Sequence, residues 1–213
     1  MLRLIIGNKN YSSWSLRPWL LLKVFNLPFE ELRLPLDTPE FYRRIPELSP
    51  TGRVPVLHDA GRVVWDSLAI CEYVNESRLD GRAWPSEIGA RALARCAAAE
   101  MHSGFSALRA QLPMSCRRVP NAYRWDANAD ADIHRVQDLW RQLRRLADGP
   151  FLLGSFGIVD AMFAPVAVRF RGYGVPLDAS TQDYCDALFA LPAMRDWQRE
   201  AEAESEHLAC DEL

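Results

Sequence analysis

The sequence has no long hydrophobic run and few cysteines. Among its 213 residues, no stretch approaches the roughly 20 apolar residues that span a bilayer. The apolar run between Met1 and Gly7 is too short for a signal peptide. The five cysteines are an odd number without two-residue spacing, so neither a disulfide framework nor a zinc site is indicated. We therefore expect a cytoplasmic protein with no membrane segment and no bound metal.

A strong net charge is also missing. The net charge of −3 gives no electrostatic footprint for nucleic acid, which is not expected as a partner. Arg141, Arg144 and Arg145 make one local basic patch, which a solvated helix face explains better. The histidines show no metal-ligand spacing and are expected to be surface or half-buried residues rather than catalytic bases. They are His58, His102, His134 and His207.

Residues 1–80 alternate between strand and helix patterns. Because Pro55 cannot donate to a sheet ladder, a strand must begin at or just after it. The predicted order is β-α-β-α-β-β-α. Its other strands are at 3–7, 29–34 and 63–65, and its helices are at 15–25, 39–48 and 67–78.

Beyond residue 80, helical spacing has no competing strand pattern. The predicted helices are at 90–112, 129–147, 159–170, 181–190 and 193–206, and segments with glycine or proline separate them. The expected fold class is α/β plus all-α. An α/β domain covers residues 1–80, a linker covers 81–89, and an all-helical domain covers 90–213.

Residues 51–70 join a proline turn to a helix start. An X-Pro bond can be cis at a cost of about 0.5–1 kcal/mol, and a cis bond before Pro55 would turn the backbone N–H and C=O of Val54 outward. A peptide-like ligand pairs with such groups as an added strand pairs with a sheet edge. Asp66 and Ser67 begin the next helix, whose N-terminus attracts a carboxylate. A plain hairpin followed by a capped helix is the alternative.

Serines, and no cysteine, stand between the first strand and the first helix. The element order resembles the thioredoxin-like arrangement, in which redox members have Cys-x-x-Cys at this point. Here the segment has Ser12, Ser13 and Ser15 and therefore no sulfur of its own for thiol–disulfide exchange. A hydroxyl and N–H groups at a helix N-terminus lower the pKa of a bound thiol. The alternative is that these serines only cap the helix.

Four segments, in order along the chain, carry a family resemblance. They are Ser12–Arg17, Ser49–Leu57, Asp66–Ile70 and Phe151–Ala161. Together they resemble the cytosolic glutathione S-transferase family over nearly the whole chain. The first segment is similar to the Ser-Ser-Cys-x-x-Arg pattern of the zeta class, with Trp14 in place of the cysteine. The resemblance implies a thioredoxin-like N-terminal domain, a helical-bundle C-terminal domain, glutathione as co-substrate and a homodimer.

The resemblance implies roles for the thiol-binding residues. Ser12 matches the position that hydrogen-bonds the glutathione sulfur, and Ser13 is the alternative. Val54 would pair its backbone with the cysteinyl unit, presented by a cis Pro55.

The two ends of glutathione are also assigned by resemblance. Asp66 would bind the γ-glutamyl ammonium, and Ser67 with its helix start would bind the carboxylate. Arg53 stands near the expected glycyl carboxylate, an anion that suits a guanidinium. A surface charge is the alternative for Arg53.

The pocket for the second substrate is less well defined by sequence. Tyr11 and Trp14 flank the serines, and Met101, Phe105 and Arg109 recur at four-residue spacing on the helix that lines this pocket in the family. If these residues face the cleft, the pocket is wide and aromatic and suits a planar or apolar electrophile. A stripe at this spacing is also typical of core.

Asp160 has a structural interpretation. The family has a Ser/Thr-x-x-Asp capping box here, and this chain keeps the aspartate but has Gly157 in place of the hydroxyl residue. We expect Asp160 to accept a hydrogen bond from the Gly157 N–H and to support folding rather than catalysis.

The predicted function is that of a glutathione S-transferase that stabilises the thiolate for attack on a small electrophile. A zeta-like, maleylacetoacetate-type cis–trans isomerase is an alternative within the enzyme class. A non-enzymatic binding module with the same fold, as in some bacterial relatives, is an alternative from another class. A glutathione-dependent reductase is disfavoured because Ser12 stands where it would need a cysteine.

Overall fold

The computed structural model of the chain describes residues 1–208. Cys210 and the end of the predicted helical domain, residues 209–213, lie outside the described residues. The strands are β1 (Leu2–Ile6), β2 (Phe29–Arg33), β3 (Val56–Asp59) and β4 (Arg62–Trp65). The helices are α1 (Ser13–Val24), α2 (Pro39–Leu48), α3 (Ser67–Arg78), α4 (Ile88–Ser103), α5 (Ser106–Gln111), α6 (Ala127–Arg144), α7 (Ile158–Tyr173), α8 (Ala179–Ala190) and α9 (Pro192–Glu202).

A four-stranded sheet in the order β2-β1-β3-β4 forms the centre of the N-terminal part. β1 runs parallel to β2, as a helical crossover requires, and antiparallel to β3. Because side chains alternate across a strand, Leu4 and Ile6 pack with α1 and α3, while Ile5 packs with α2 on the other face. This is the thioredoxin-like domain predicted from the sequence.

The helical part packs on the sheet part through α7. Nearly every residue of α7 is buried, since α7 contacts α1, α3 and α4. A helix that is apolar around its whole circumference belongs in the interior. In the middle of α1, the ring of Trp19 meets the ring of Trp197 of α9 edge to face, with centroids 5.0 Å apart. The predicted fold class, α/β plus a helical C-terminal part, is confirmed.

The predicted helix 90–112 is two helices. α4 ends at Ser103, and Phe105 has a left-handed backbone with φ +54°. Between them, a Cβ on Gly104 would lie 2.7 Å from the Glu100 carbonyl oxygen, so only glycine fits this close approach. The apolar spacing continues through the break, which is why periodicity alone missed it. After the break, Arg109 of α5 lies next to the Trp14 ring of the N-terminal part.

Asp160 holds the start of α7. Its Oδ2 accepts from the Gly157 N–H at 2.9 Å, as expected, and its Oδ1 accepts from the Leu152 N–H at 3.0 Å. The carboxylate is fully buried, and this burial raises its pKa to about 6. Its hydrogen bonds point to the backbone of the segment before α7, so Asp160 organises the fold.

We expect Asp160→Ala to lower the free energy of unfolding by about 3 kcal/mol or more, because two buried N–H groups lose their acceptor. Asp126→Ala is the matched control, since the exposed Asp126 accepts from two N–H groups at the start of α6. That variant should lose about 1 kcal/mol. Urea unfolding of both variants measures the difference, and equal losses would contradict the assignment.

Candidate functional site

Two cavities adjoin beside the start of α1, and the larger one lies where the N-terminal part meets the helical part. The smaller has a volume of about 250 Å³ and the larger about 600 Å³, and they share Trp14, Arg53 and Val54. The smaller is otherwise lined by Thr51, Pro55, Trp65, Asp66 and Ser67. The larger is otherwise lined by Tyr11, Ser12, Ser13, Leu36, Asp37, Phe41, Tyr42, Gly52, Arg109, Pro113, Met114 and Arg169. Apart from Met101 and Phe105, the predicted site residues therefore lie along one cleft.

The proline turn forms one wall of the cleft. The Val54–Pro55 peptide bond is cis. The sheet pairing of β3 with β4 begins at Val56, so Val54 lies outside the ladder while it lines both cavities. Val54 therefore borders the cleft and takes no part in the β3–β4 pairing.

The start of α3 forms the far end of the smaller cavity. Asp66 has φ +74°, a conformation that is rare for a residue with a side chain. Its Oδ1 accepts from the N–H groups of Leu68 and Ala69 at 2.9 and 3.2 Å. Its Oδ2 lies 3.0 Å from Nε2 of His102 on α4, a contact that the sequence did not predict. The Asp66 carboxylate thus links α3 to the helical part.

Arg17 stands behind the smaller cavity. Its Nη1 donates to Ser67 Oγ at 3.2 Å, and its guanidinium lies 4.2 Å from the centre of the Trp14 ring. Among the described residues, no carboxylate forms an ion pair with Arg17, which is 2 % exposed. Burial above all, and then the charges of Arg109 and Arg169, lower its pKa to about 9. Arg17 therefore brings a positive charge to the Ser67 end of the cleft at a cost in desolvation.

The alternative interpretation of the serines at the start of α1 is that their side chains only cap the helix. The structure does not show such capping at Ser12. Ser12 is the N-cap residue, but its side chain makes no cap hydrogen bond. Instead Ser12 Oγ donates to Ser15 Oγ at 2.7 Å, and Ser15 Oγ accepts from the Gly7 N–H at 3.1 Å. Ser12 and the more exposed Ser13 both line the larger cavity. The sequence had not shown that Ser15 supports Ser12.

The larger cavity is less apolar than the sequence predicted. Met101 and Phe105 belong to the hydrophobic core, 1 % and 6 % exposed, and do not line it. Arg109 does, with its guanidinium 5.4 Å from the centre of the Trp14 ring. Tyr11 also lines this cavity, and its hydroxyl accepts from Arg117 Nη2 at 2.6 Å.

Arg169 of α7 was not predicted for this site. It lines the larger cavity and donates to the carbonyl oxygens of Arg109 and Leu112, so it also supports α5. Its signal in the sequence was an arginine within the otherwise apolar helix that follows Asp160. The cavity therefore combines aromatic and cationic walls.

Within residues 1–208, no three His, Cys, Asp or Glu side chains come together as a metal-binding group. No helix in the same range has the length and apolar character needed to cross a membrane. The described cysteines, Cys71, Cys96, Cys116 and Cys185, are unpaired.

Comparison with known proteins gives consistent matches. Residues 11–77 match the family described as "Glutathione S-transferase, N-terminal domain". The chain is 26 % identical over 157 residues to glutathione S-transferase L1 of Arabidopsis thaliana, covering 73 % of this chain and 61 % of that protein. It is 33 % identical over 96 residues to a probable maleylacetoacetate isomerase of Caenorhabditis elegans, covering 45 % of this chain and 44 % of that protein. The aligned regions thus span less than two thirds of these relatives.

Solved structures share the fold. A glutathione transferase homolog from Burkholderia, solved with bound glutathione, has a TM-score of 0.71 at 23 % identity and covers 94 % of this chain and 98 % of its own. A Tau class glutathione S-transferase from mango, Mangifera indica, has a TM-score of 0.68 at 20 % identity and covers 94 % and 96 %. At these identities the likeness concerns the fold.

We expect Arg17→Met to leave the free energy of unfolding unchanged or to raise it by up to about 4 kcal/mol, because a desolvated cation without a carboxylate partner is removed. Arg169→Met is the control, since its loss leaves buried carbonyl oxygens without their donor and should cost about 1–3 kcal/mol. Urea unfolding at neutral pH compares the two. A clear loss of stability in Arg17→Met would contradict this interpretation of Arg17.

Proposed function

We propose that the chain is a member of the cytosolic glutathione S-transferase family, and that it binds glutathione in the cleft and stabilises the glutathione thiolate for attack on a small electrophile. The match of residues 11–77 to the N-terminal domain of glutathione S-transferases supports this proposal. The observation that carries this proposal is the convergence of three features in one cleft. They are the cis Val54–Pro55 turn, the Asp66–Ser67 helix start and the serines at the start of α1. We further propose a cytoplasmic homodimer.

The smaller cavity would hold the γ-glutamyl end of glutathione. Asp66 would attract the ammonium, and Ser67 at the N-terminus of α3 would bind the carboxylate, with the charge of Arg17 behind it. The Val54 backbone would pair with the cysteinyl unit. Arg53, which borders both cavities, would meet the glycyl carboxylate.

Thiolate stabilisation would come from the serines. The hydrogens of two neighbouring hydroxyls can rotate. With a sulfur anion present, Ser15 would donate to Ser12, and Ser12 would donate to the sulfur. The Gly7 N–H, already bound to Ser15, would polarise the series further. Ser13 remains the alternative donor. The proton lost by the thiol would go to solvent, and the protein would supply orientation and charge while glutathione supplies the nucleophile.

An isomerase is the second candidate, favoured by the similarity to the Caenorhabditis elegans protein and by the walls of the larger cavity. In that reaction the thiolate would add to a cis double bond, and the π electron pair would move toward a conjugated carbonyl. Rotation about the new single bond and expulsion of the thiolate would restore glutathione. The cationic side chains of Arg109 and Arg169 suit the negative charge that develops in the adduct.

A non-enzymatic binding module would have the same glutathione site as the enzyme and would differ only in catalysing no reaction. A glutathione-dependent reductase is not proposed, since serine occupies the position of its catalytic cysteine. Conjugating activity with any electrophile of a small panel separates an enzyme from a binding module.

The proposal predicts that Asp66→Ala and Ser67→Ala each weaken glutathione binding by about 10-fold or more, since each removes a charge-assisted contact. Isothermal titration calorimetry at neutral pH measures this loss. Asp126→Ala is the matched control, because it also removes a helix cap but lies outside the cleft. No binding to the wild-type protein would refute the proposed function.

The pKa of the thiol of bound glutathione distinguishes the roles of Ser12, Ser13 and Ser15. We expect Ser12→Ala to raise this pKa by about 1 unit or more and Ser15→Ala to raise it by less, because Ser15 acts through Ser12. Ser13→Ala should leave it unchanged. The ultraviolet absorbance of the bound thiolate as a function of pH gives all three values. A shift in Ser13→Ala alone would assign the role to Ser13, and wild-type activity in Ser12→Ala would exclude Ser12.

A further inference from the structure

His102 reaches the expected ammonium site from the helical part. Asp66 Oδ1 is occupied by the N–H groups at the start of α3, so Oδ2 is the oxygen that is open to a ligand. That oxygen lies 3.0 Å from His102 Nε2. The side chains of His102 and Asp66 are 26 % and 39 % exposed, so the contact is only partly screened by water.

The surroundings of His102 favour its neutral form. The ring of Trp14, from α1, meets the imidazole edge to face with centroids 5.3 Å apart. The charged groups that act on the ring are Asp66 at the start of α3, Arg17 of α1 and Arg109 of α5. Burial is the largest influence and lowers the His102 pKa, and the two arginines lower it further against the opposing effect of Asp66.

The hydrogen bonds of the His102 ring also favour its neutral form. Nδ1 is buried and has no hydrogen-bond partner among the described residues. In the neutral form with the proton on Nε2, the ring donates to Asp66 and leaves only an acceptor without a partner. In the protonated form, Nδ1–H would be a buried donor without a partner, which costs more.

We propose that His102 is a ligand-recognition residue of the ammonium subsite, and that only its neutral form leaves the Asp66 carboxylate able to bind a ligand ammonium. The inference rests on the proposed function, because glutathione is the ligand that carries this ammonium. A neutral imidazole orients Oδ2 by one hydrogen bond and leaves its negative charge for the ligand. A protonated imidazole forms an ion pair with Asp66 and competes with the ammonium for the same oxygen.

The proposal implies that the affinity for a ligand falls with falling pH because the ligand carries an ammonium group. Below the pKa of His102 in the free protein, glutathione binding must displace a proton, so the affinity falls with falling pH. A ligand without the ammonium escapes this competition. Deamino-glutathione, in which a glutaryl group replaces the γ-glutamyl group, keeps the thiol, the peptide bonds and both carboxylates, and is therefore the matched probe.

Isothermal titration calorimetry of the full chain from about pH 7.5 to about pH 5.5 tests the proposal. With glutathione, we expect the wild-type Kd to rise about fivefold more over this range than with deamino-glutathione. In His102→Gln, which keeps a neutral donor but cannot be protonated in this pH range, this excess should disappear. His134→Gln is the control, because His134 contacts Asp130 at 3.2 Å outside the cleft.

The outcomes separate the two proposals. No glutathione binding at neutral pH would refute the proposed function, and this inference with it. Glutathione binding with the same pH dependence for both ligands, or with an unchanged excess in His102→Gln, would overturn the role of His102 alone.

Discussion

The packing of α7 against α1 joins the helical part of the molecule to the sheet part. α1 carries Trp14, which lines both cavities, and α7 carries Arg169, which lines the larger one, so the larger cavity lies at the junction of these two helices. α7 fits there because it is apolar around its circumference and because Asp160 ties its start to the preceding loop. A displacement of α7 would change the walls of the larger cavity directly.

Positive charge is concentrated at this junction. Arg17, Arg109 and Arg169 approach one another closely enough for two of them to lower the pKa of the third. Such an arrangement opposes folding, because like charges repel and burial removes their hydration. It suits a cleft that binds anions, and glutathione brings two carboxylates and a thiolate. Stability is therefore given up at the place where the proposed chemistry needs positive charge.

Local signals in the sequence located α2 and α3 correctly, at Pro39–Leu48 and Ser67–Arg78. Each has a side-chain acceptor at its N-cap, a feature that acts over a few residues and can be read directly. The prediction over residues 90–112 missed the break at Gly104 and Phe105, because periodicity detects which side chains are apolar and does not detect a left-handed backbone. The same spacing placed Met101 and Phe105 in the pocket, whereas the structure buries them in the core.

Short-range rules of spacing and capping are enough to predict the α/β and helical halves, the proline turn, the Asp66–Ser67 helix start and the serines before α1 from the sequence. How these features come together depends on the tertiary structure. It brought His102 to Asp66, Arg17 to Ser67, and Arg109 and Arg169 to the cavity beside the serines. Those pairings join residues that are far apart in the chain, and they follow from how whole helices pack, which local patterns do not specify.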